Sequence, residues 1–453
     1  MTDSPSRAAS CPEDIPAPVS FWQAFIFWLK LGFVSFGGPA GQIAMMHQEL
    51  VERRRWISEK RFLHALNYCM VLPGPEAQQL ATYIGWLMHR ARGGIVAGTL
   101  FVLPSLFILI ALSWIYIAFG DLPLVAGLFY GIKPAVTAIV VQATHRIGSR
   151  ALKNNVMWAV AAASFVAIFA LGLPFPLIVA MAAAIGHIGG RMAPERFKTG
   201  GGHGAAGKSF GKALIDDDTP TPAHALFTWH RLLRVLLVGA TLWLLPMGVL
   251  TVLYGWDDTL TRMGWFFTKA ALLTFGGAYA VLPYVYQGAV EGYGWLTPTQ
   301  MIDGLALGET TPGPLIMVVA FVGFIGGYTK AIFGPESLFL AGMVAATVVT
   351  WFTFLPSFIF ILSGGPFVET THNDLKFTAP LTAITAAVVG VILNLALFFG
   401  YHVLWPQGFA GHFDGVAALI ALLAATALFR FKFSVIQVIA GCAVLGLIIK
   451  FLI

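Results

Sequence analysis

The sequence predicts an all-α polytopic membrane protein made of two inverted-topology repeats, with broken or re-entrant helices at Gly-Gly and Pro-Gly-Pro. Three observations lead there. Apolar residues make up 58% of the chain and charged ones only 11%, and apolar runs of about 20 residues, enough to cross a bilayer, recur from Phe21 to Ile453. One stretch is written twice. Lys30, Phe36, Trp56 and Pro73 recur as Lys269, Phe275, Trp295 and Pro312, each pair 239 residues apart. Finally, the counterpart of the Arg53-Arg54-Arg55 loop in the second copy, Gly288 to Gly294, has no Lys or Arg. Basic loops stay in the cytoplasm, so the two copies are expected to face opposite ways.

The elements follow in order. Residues 1–20 read as a cytoplasmic tail: Asp3, Glu13 and Asp14 against Arg7, without the basic segment and cleavage site of a secretory signal. The first repeat takes residues 21–190. Phe21 to Leu50 breaks at Gly37-Gly38-Pro39 and reads either as a re-entrant pair or as one long span with an external N-terminus. Phe62 to Met88 lies between two basic clusters and breaks at Pro73-Gly74-Pro75. Each piece is too short to span, so a hairpin with its tip at Pro-Gly-Pro fits better than a crossing. Gly94 to Gly120 then goes out, Leu124 to Gln142 returns to basic His145, Arg146, Arg150 and Lys153, Val156 to Leu171 goes out and Leu177 to Ile188 comes back.

Residues 191–226, with Lys198, Gly200-Gly201-Gly202, Lys208, Lys212 and Asp216-Asp217-Asp218, read as a polar cytoplasmic linker. An unpaired helix in 227–257 begins beside Arg231 and Arg234 and ends at Asp257-Asp258, carrying the chain outward. The second repeat takes 262–453, with spans at Leu338 to Leu362, Leu381 to Tyr401, Val416 to Leu428 and Ser434 to Leu452. Lys330, on its outer side, runs against the charge rule. Two further matches extend the repeat: Leu103-Pro104-Ser105 with Leu355-Pro356-Ser357, 252 apart, and Val136-Thr137-Ala138-Ile139 with Leu381-Thr382-Ala383-Ile384, 245 apart.

Several functions are disfavoured. The formal charge of +6 comes from short loops between apolar runs, which is the membrane pattern and points away from nucleic acid. Cys11, Cys69 and Cys442 are scattered and form neither a disulfide framework nor a metal site, and no cofactor is expected. No Walker-type phosphate loop occurs, so ATP drive has no support in the sequence.

The repeated breaks carry the chemistry. A helix that begins inside a membrane presents unpaired N–H groups and the positive end of its dipole. Four such starts, at Gly38, Pro75, Gly277 and Pro314, would cradle an anion. The substrate-binding set is therefore Lys30, Phe36, Gly37, Gly38, Pro73, Gly74, Pro75, Lys269, Phe275, Gly276, Gly277, Pro312, Gly313 and Pro314. Glu76 and Glu309 could hold a coupling proton, and Asn67, Gln78, Gln79, Thr310 and Thr311 could line the path with neutral groups. The competing account is that Gly and Pro only allow kinks and close packing, and that the lysines snorkel.

Two copies of a K-x-[GA]-[FL]-x-[ST]-F-G-G segment, a W-[IL]-[ST] step, P-G-P and a later P-S resemble the chromate ion transporter family in its long two-domain form. The likeness covers about residues 21–190 and 262–453. It departs from the pattern at Ala271 and Ala278, which stand where the first copy has Gly32 and Pro39. The resemblance implies an inner-membrane exporter of chromate that confers chromate resistance, with sulfate as a related oxyanion. It implies no enzymatic activity. A homodimer is compatible with the sequence. An oxyanion channel is the alternative.

Overall fold

The structure, a computed structural model, describes residues 16–197, 210–370 and 378–452. The charged residues of the tail, Cys11, and Lys198, Gly200, Gly201, Gly202 and Lys208 of the linker lie outside the described residues. The described residues are helical, with one isolated β-bridge between Ile57 and Ile215.

The first repeat runs α1 Phe21–Val34, α2 Gly38–His47, a π-helical turn Gln48–Arg53, α3 Glu59–Val71, α4 Glu76–Phe119, α5 Pro123–Ala151, α6 Asn155–Phe169, α7 Phe175–Met192 and the short α8 Pro194–Phe197. The unpaired helix is α9 Trp229–Tyr254. The second repeat runs α10 Thr259–Leu272, α11 Ala278–Tyr286, a π-helical turn Gln287–Gly292, α12 Pro298–Thr310, a 3-10 turn Leu315–Met317, α13 Val318–Thr329 and a 3-10 turn Pro335–Ser337. It ends with α14 Leu338–Thr370, α15 Thr378–Leu404, α16 Gly415–Phe429 and α17 Val435–Leu452. The π turns and the pair α3 and α12 keep the 239-residue offset to the residue.

The helices break where the glycines and prolines predict. Gly37, in the left-handed region at φ +91°, caps α2, and Gly277 at φ +98° caps α11. Pro75 and Pro314 stand just ahead of the next helical turn as N-caps, one residue earlier than a first-turn proline. The predicted turn at His89-Arg90 is sharp, with Arg90 at φ +59°. Beyond it α4 folds back on itself: a Cβ on Gly94 would meet Trp86, and one on Gly98 would meet Thr82 and Gln78. In the second repeat α13 and α14 form the same antiparallel pair as separate helices. One span differs in length. α5 continues to Ala151, so His145, Arg146 and Arg150 ride on its last turns and are not in a loop.

Among the described residues, seven helices are long and apolar enough to cross a membrane: α4, α5, α7, α9, α14 with its preceding turn, α15 and α17. α1, α6, α13 with its turn and α16 are shorter apolar helices. Packing exchanges helices between repeats. α5 lies against α16 and α17, and α15 lies reciprocally against α6 and α7. Small residues let these backbones meet. A Cβ on Gly131 would fall 1.9 Å from the Cys442 carbonyl, and one on Gly390 2.0 Å from that of Ala161. α4 packs against α14, and α9 covers α14 and α10.

The two ends of α9 touch different repeats. The linker before it docks on the Arg-rich loop: Leu214 N–H donates to the Arg55 carbonyl at 2.9 Å, Ile215 N–H to Trp56 at 3.1 Å and Ser58 N–H to Ile215 at 3.0 Å. Ser58 Oγ also donates to Asp217 at 2.6 Å. After α9, Trp256 and Asp257 share a cleft with Gly292 and Tyr293 at the second π turn.

Candidate functional site

The two Pro-Gly-Pro tips dock on the opposite repeat's Phe-Gly-Gly break. Gly74 N–H donates to the Thr274 carbonyl at 2.7 Å, and Gly313 N–H donates to the Ser35 carbonyl at 2.8 Å. Each donor and each acceptor in one bond is 239 residues from its equivalent in the other. The exchange is fully reciprocal. Only glycine fits at either tip. Gly74 has φ +130° and Gly313 φ +100°, and an added Cβ would lie 2.4 Å from Ser357 Oγ in the first and 2.8 Å from Ser105 Cβ in the second. Ser105 and Ser357 come from the repeated Pro-Ser motif on α4 and α14. Thus each tip sits between the other repeat's helix break and the other repeat's serine.

This crossing is closed and polar. Eleven buried side-chain atoms among the described residues lack a hydrogen-bond partner. Six of them belong here: Ser35 Oγ, Gln42 Oε1, Gln78 Oε1, Gln79 Oε1, Ser105 Oγ and Ser357 Oγ. All six side chains are essentially fully buried. An unpaired buried polar group costs about 1–3 kcal/mol, so each of these atoms calls for a partner. Gln42 Nε2 holds both the Ser35 carbonyl and the Gly313 carbonyl. Gln79 Nε2 braces its own tip by donating to the Pro73 carbonyl at 2.8 Å, and Gln78 Nε2 donates to Thr82 Oγ1 at 3.1 Å. Gln42 and Gln79 are replaced by Val281 and Val318 in the second repeat, so the crossing is more polar on the first repeat's side.

The predicted residues divide between the crossing and its surroundings. Phe36, Gly37, Gly38, Phe275, Gly276 and Gly277 form the two breaks, and Pro73, Gly74, Pro75, Pro312, Gly313 and Pro314 the two tips. The amides of Gly74 and Gly313 are spent on the opposite repeat. The surroundings differ between repeats: Gly37 is exposed, Gly277 and all of α11 are buried. Glu76 is half-buried at the first residue of α4. Thr310 and Thr311 turn their hydroxyls onto their own chain, toward Ala306, Leu307 and Gly308. Glu309 is buried at the second tip, where the Tyr279 hydroxyl donates to it.

Three predicted residues lie away from the crossing. Asn67 is exposed on α3, and Lys30 is exposed on α1. Lys269 places its Nζ 5.7 Å from the centre of the Trp265 ring. It lines a cleft of about 410 Å³ with Trp256, Asp257, Arg262 and Tyr293. The structure does not bring the two lysines together. Sequence reasoning missed Ser35, Gln42, Ser105 and Ser357 as parts of one site. The Pro-Ser repeat was the available signal, since a serine that recurs beside a recurring proline contributes more than the kink.

The sequence profile of the chromate transporter family matches residues 22–187 and 261–447. A chromate transport protein of Pseudomonas aeruginosa is 35% identical over 394 residues, covering 86% of this chain and 83% of that protein. One from Cupriavidus metallidurans is 28% identical over 431 residues, covering 94% and 92%. An uncharacterized transporter of Methanocaldococcus jannaschii is 25% identical over 428 residues, covering 94% and 93%. No solved structure matches the chain. Two family matches that take in both tips, both breaks and both serines, and a relative at 35% identity over most of its length, place this chain in the chromate transporter family.

Proposed function

We propose that the protein is a secondary active transporter that exports chromate, accepts sulfate as a second tetrahedral oxyanion, and confers chromate resistance from the inner membrane. Its family is one of membrane transporters, not enzymes. The observation that carries the reading is the reciprocal crossing of tips and breaks with its cluster of unpartnered buried polar groups. A tetrahedral dianion offers acceptors in four directions. The hydroxyls of Ser35, Ser105 and Ser357 supply donors, and the amides of Gln42, Gln78 and Gln79 can turn to supply more. The helix starts at Gly38, Glu76 and Ala278 add oriented N–H groups. Lys30 and Lys269, outside the crossing, collect the anion at its approaches.

The inverted arrangement is part of this proposal. It is supported by the contacts of α9, whose 26 residues span about 39 Å at 1.5 Å per residue. The first π turn and its arginines lie with the linker at one end of that helix, and the second π turn lies with Asp257 at the other. The broken segments are then re-entrant, entering from opposite faces to meet in mid-membrane, the arrangement secondary transporters use for their substrate. Rocking of one repeat on the other would open the crossing alternately to each side.

The test is chromate exchange by the purified chain in proteoliposomes. Saturable exchange that sulfate competes with, and accumulation driven by an imposed gradient, are the expected results. Current that rises linearly with voltage, without saturation, would instead make the protein an oxyanion channel.

A further inference from the structure

Arg146 is a cation whose charge reaches the second tip at Glu309 and Tyr279, and a dianion leaving the crossing must be compensated all the way out. An ion pair with a buried carboxylate joins α5 to α12. Lys133 Nζ on α5 lies 3.4 Å from Asp303 Oδ2 on α12, and the Tyr116 hydroxyl on α4 donates to the same oxygen at 2.9 Å. The Asp303 side chain is 2% exposed and its other oxygen has no partner, whereas the Lys133 side chain is 29% exposed. The lysine therefore carries the more exposed end of the pair, with the carboxylate buried behind it. Of the helices packed on α12, α5 and α4 supply these two groups, and α13, α15 and α17 bring no other charged group to bear on Asp303 among the described residues.

The pair is absent from the first repeat. His64 occupies the position equivalent to Asp303, so the feature does not belong to the symmetric scaffold. Its place is informative. Asp303 lies nine residues before Pro312 on α12, about 14 Å from the tip, and Lys133 lies ten residues into α5, about 15 Å from its start. On the inverted reading those helix starts, and the end of α4 near Tyr116, are at the outer face.

We propose that the Lys133–Asp303 pair is a second anion station, between the crossing and the outer face, at which the substrate displaces Asp303 from Lys133. This rests on the transport reading above. In the empty protein Asp303 is a built-in competitor that neutralises the lysine. When the oxyanion takes the lysine, Asp303 is left buried without a counter-ion, a state relieved by taking up a proton. The tyrosine keeps the carboxyl in place for the return.

The experiment measures chromate exchange by the full chain in proteoliposomes for wild type, Asp303→Asn, Lys133→Gln and the double variant. Asp303→Asn is expected to lower the half-saturating chromate concentration at least threefold, because the lysine is freed. Lys133→Gln should raise it at least tenfold, and the double variant should behave like Lys133→Gln. An unchanged or raised half-saturation in Asp303→Asn, or a double variant that regains wild-type behaviour, would show a purely structural pair and overturn the proposal. Should the variants fail to fold, wild type answers alone: carbodiimide, which attacks protonated buried carboxyls, should modify Asp303 at least twice as much with chromate present. Equal or lower modification overturns the station. Wild-type protein that exchanges no chromate would defeat the transport reading itself, whatever the pair does.

Discussion

Replacing Gly74 by alanine tests whether the reciprocal crossing is what transport depends on. The backbone there has φ +130°, and the new Cβ would lie 2.4 Å from Ser357 Oγ and 2.6 Å from Gln79 Nε2. An L residue held at positive φ costs about 1–2 kcal/mol, and forcing a methyl into a packed site costs about 1–3 kcal/mol more. The closed crossing should therefore lose about 2–5 kcal/mol, at least a 30-fold fall in its population at tenfold per 1.4 kcal/mol. Gly313→Ala, at φ +100° with a Cβ 2.8 Å from Ser105 Cβ, should be comparably severe. Gly172→Ala is the control, since Gly172 has φ +60° but no atom within 4 Å of its would-be Cβ. It should lose stability alone and keep its exchange rate. The assay is chromate exchange in proteoliposomes at matched protein content, with thermal stability measured alongside. Wild-type exchange by both tip variants would refute the idea that the tips must close on each other.

Three other outcomes are expected. Ser105→Ala and Ser357→Ala each remove a hydroxyl that would donate to a charged group, worth about 1.5–3 kcal/mol, and should raise the half-saturating chromate concentration about tenfold or more. Ser113→Ala, a buried unpartnered serine two turns further along α4, should leave it unchanged. In a chain with Cys11→Ser, where Cys69 and Cys442 are buried, cysteines placed at Arg54 and Gly292 should label from opposite sides of the membrane; same-side labelling would end the inverted reading. Lys30→Gln and Lys269→Gln should slow exchange by an amount that shrinks as salt rises, and a loss independent of salt would place the lysines in the site itself.

The helix breaks were legible because glycine and proline act locally. Gly37, Pro75, Gly277 and Pro314 end or begin helices for reasons contained within a few residues. The repeat register was equally plain, since no insertion interrupts it between Lys30 and Pro75 or their equivalents. What the tips touch could not be read, because Gly74 meets Thr274 and Ser357 across some 200 and 280 residues of chain. The docking of the tips escaped the sequence for that reason: the Gly74 and Gly313 amides serve the opposite repeat. Lys133 and Asp303 escaped notice for a different cause. Each looks like a stray charge in an apolar run, and comparing the repeats hides residues that occur in only one of them.

The exchange of helices between repeats bears on how the protein is made. α5 is inserted early, but α16 and α17, which cover it, emerge roughly 300 residues later. At about 5–20 residues per second, translation takes roughly 15–60 s to supply them. For that time the glycine faces of α5 at Gly127 and Gly131 have only lipid or a helper protein to meet. A nascent chain stalled before α16 would have α15 on α6 and α7 but leave this face of α5 uncovered, and would be a natural target for membrane quality control.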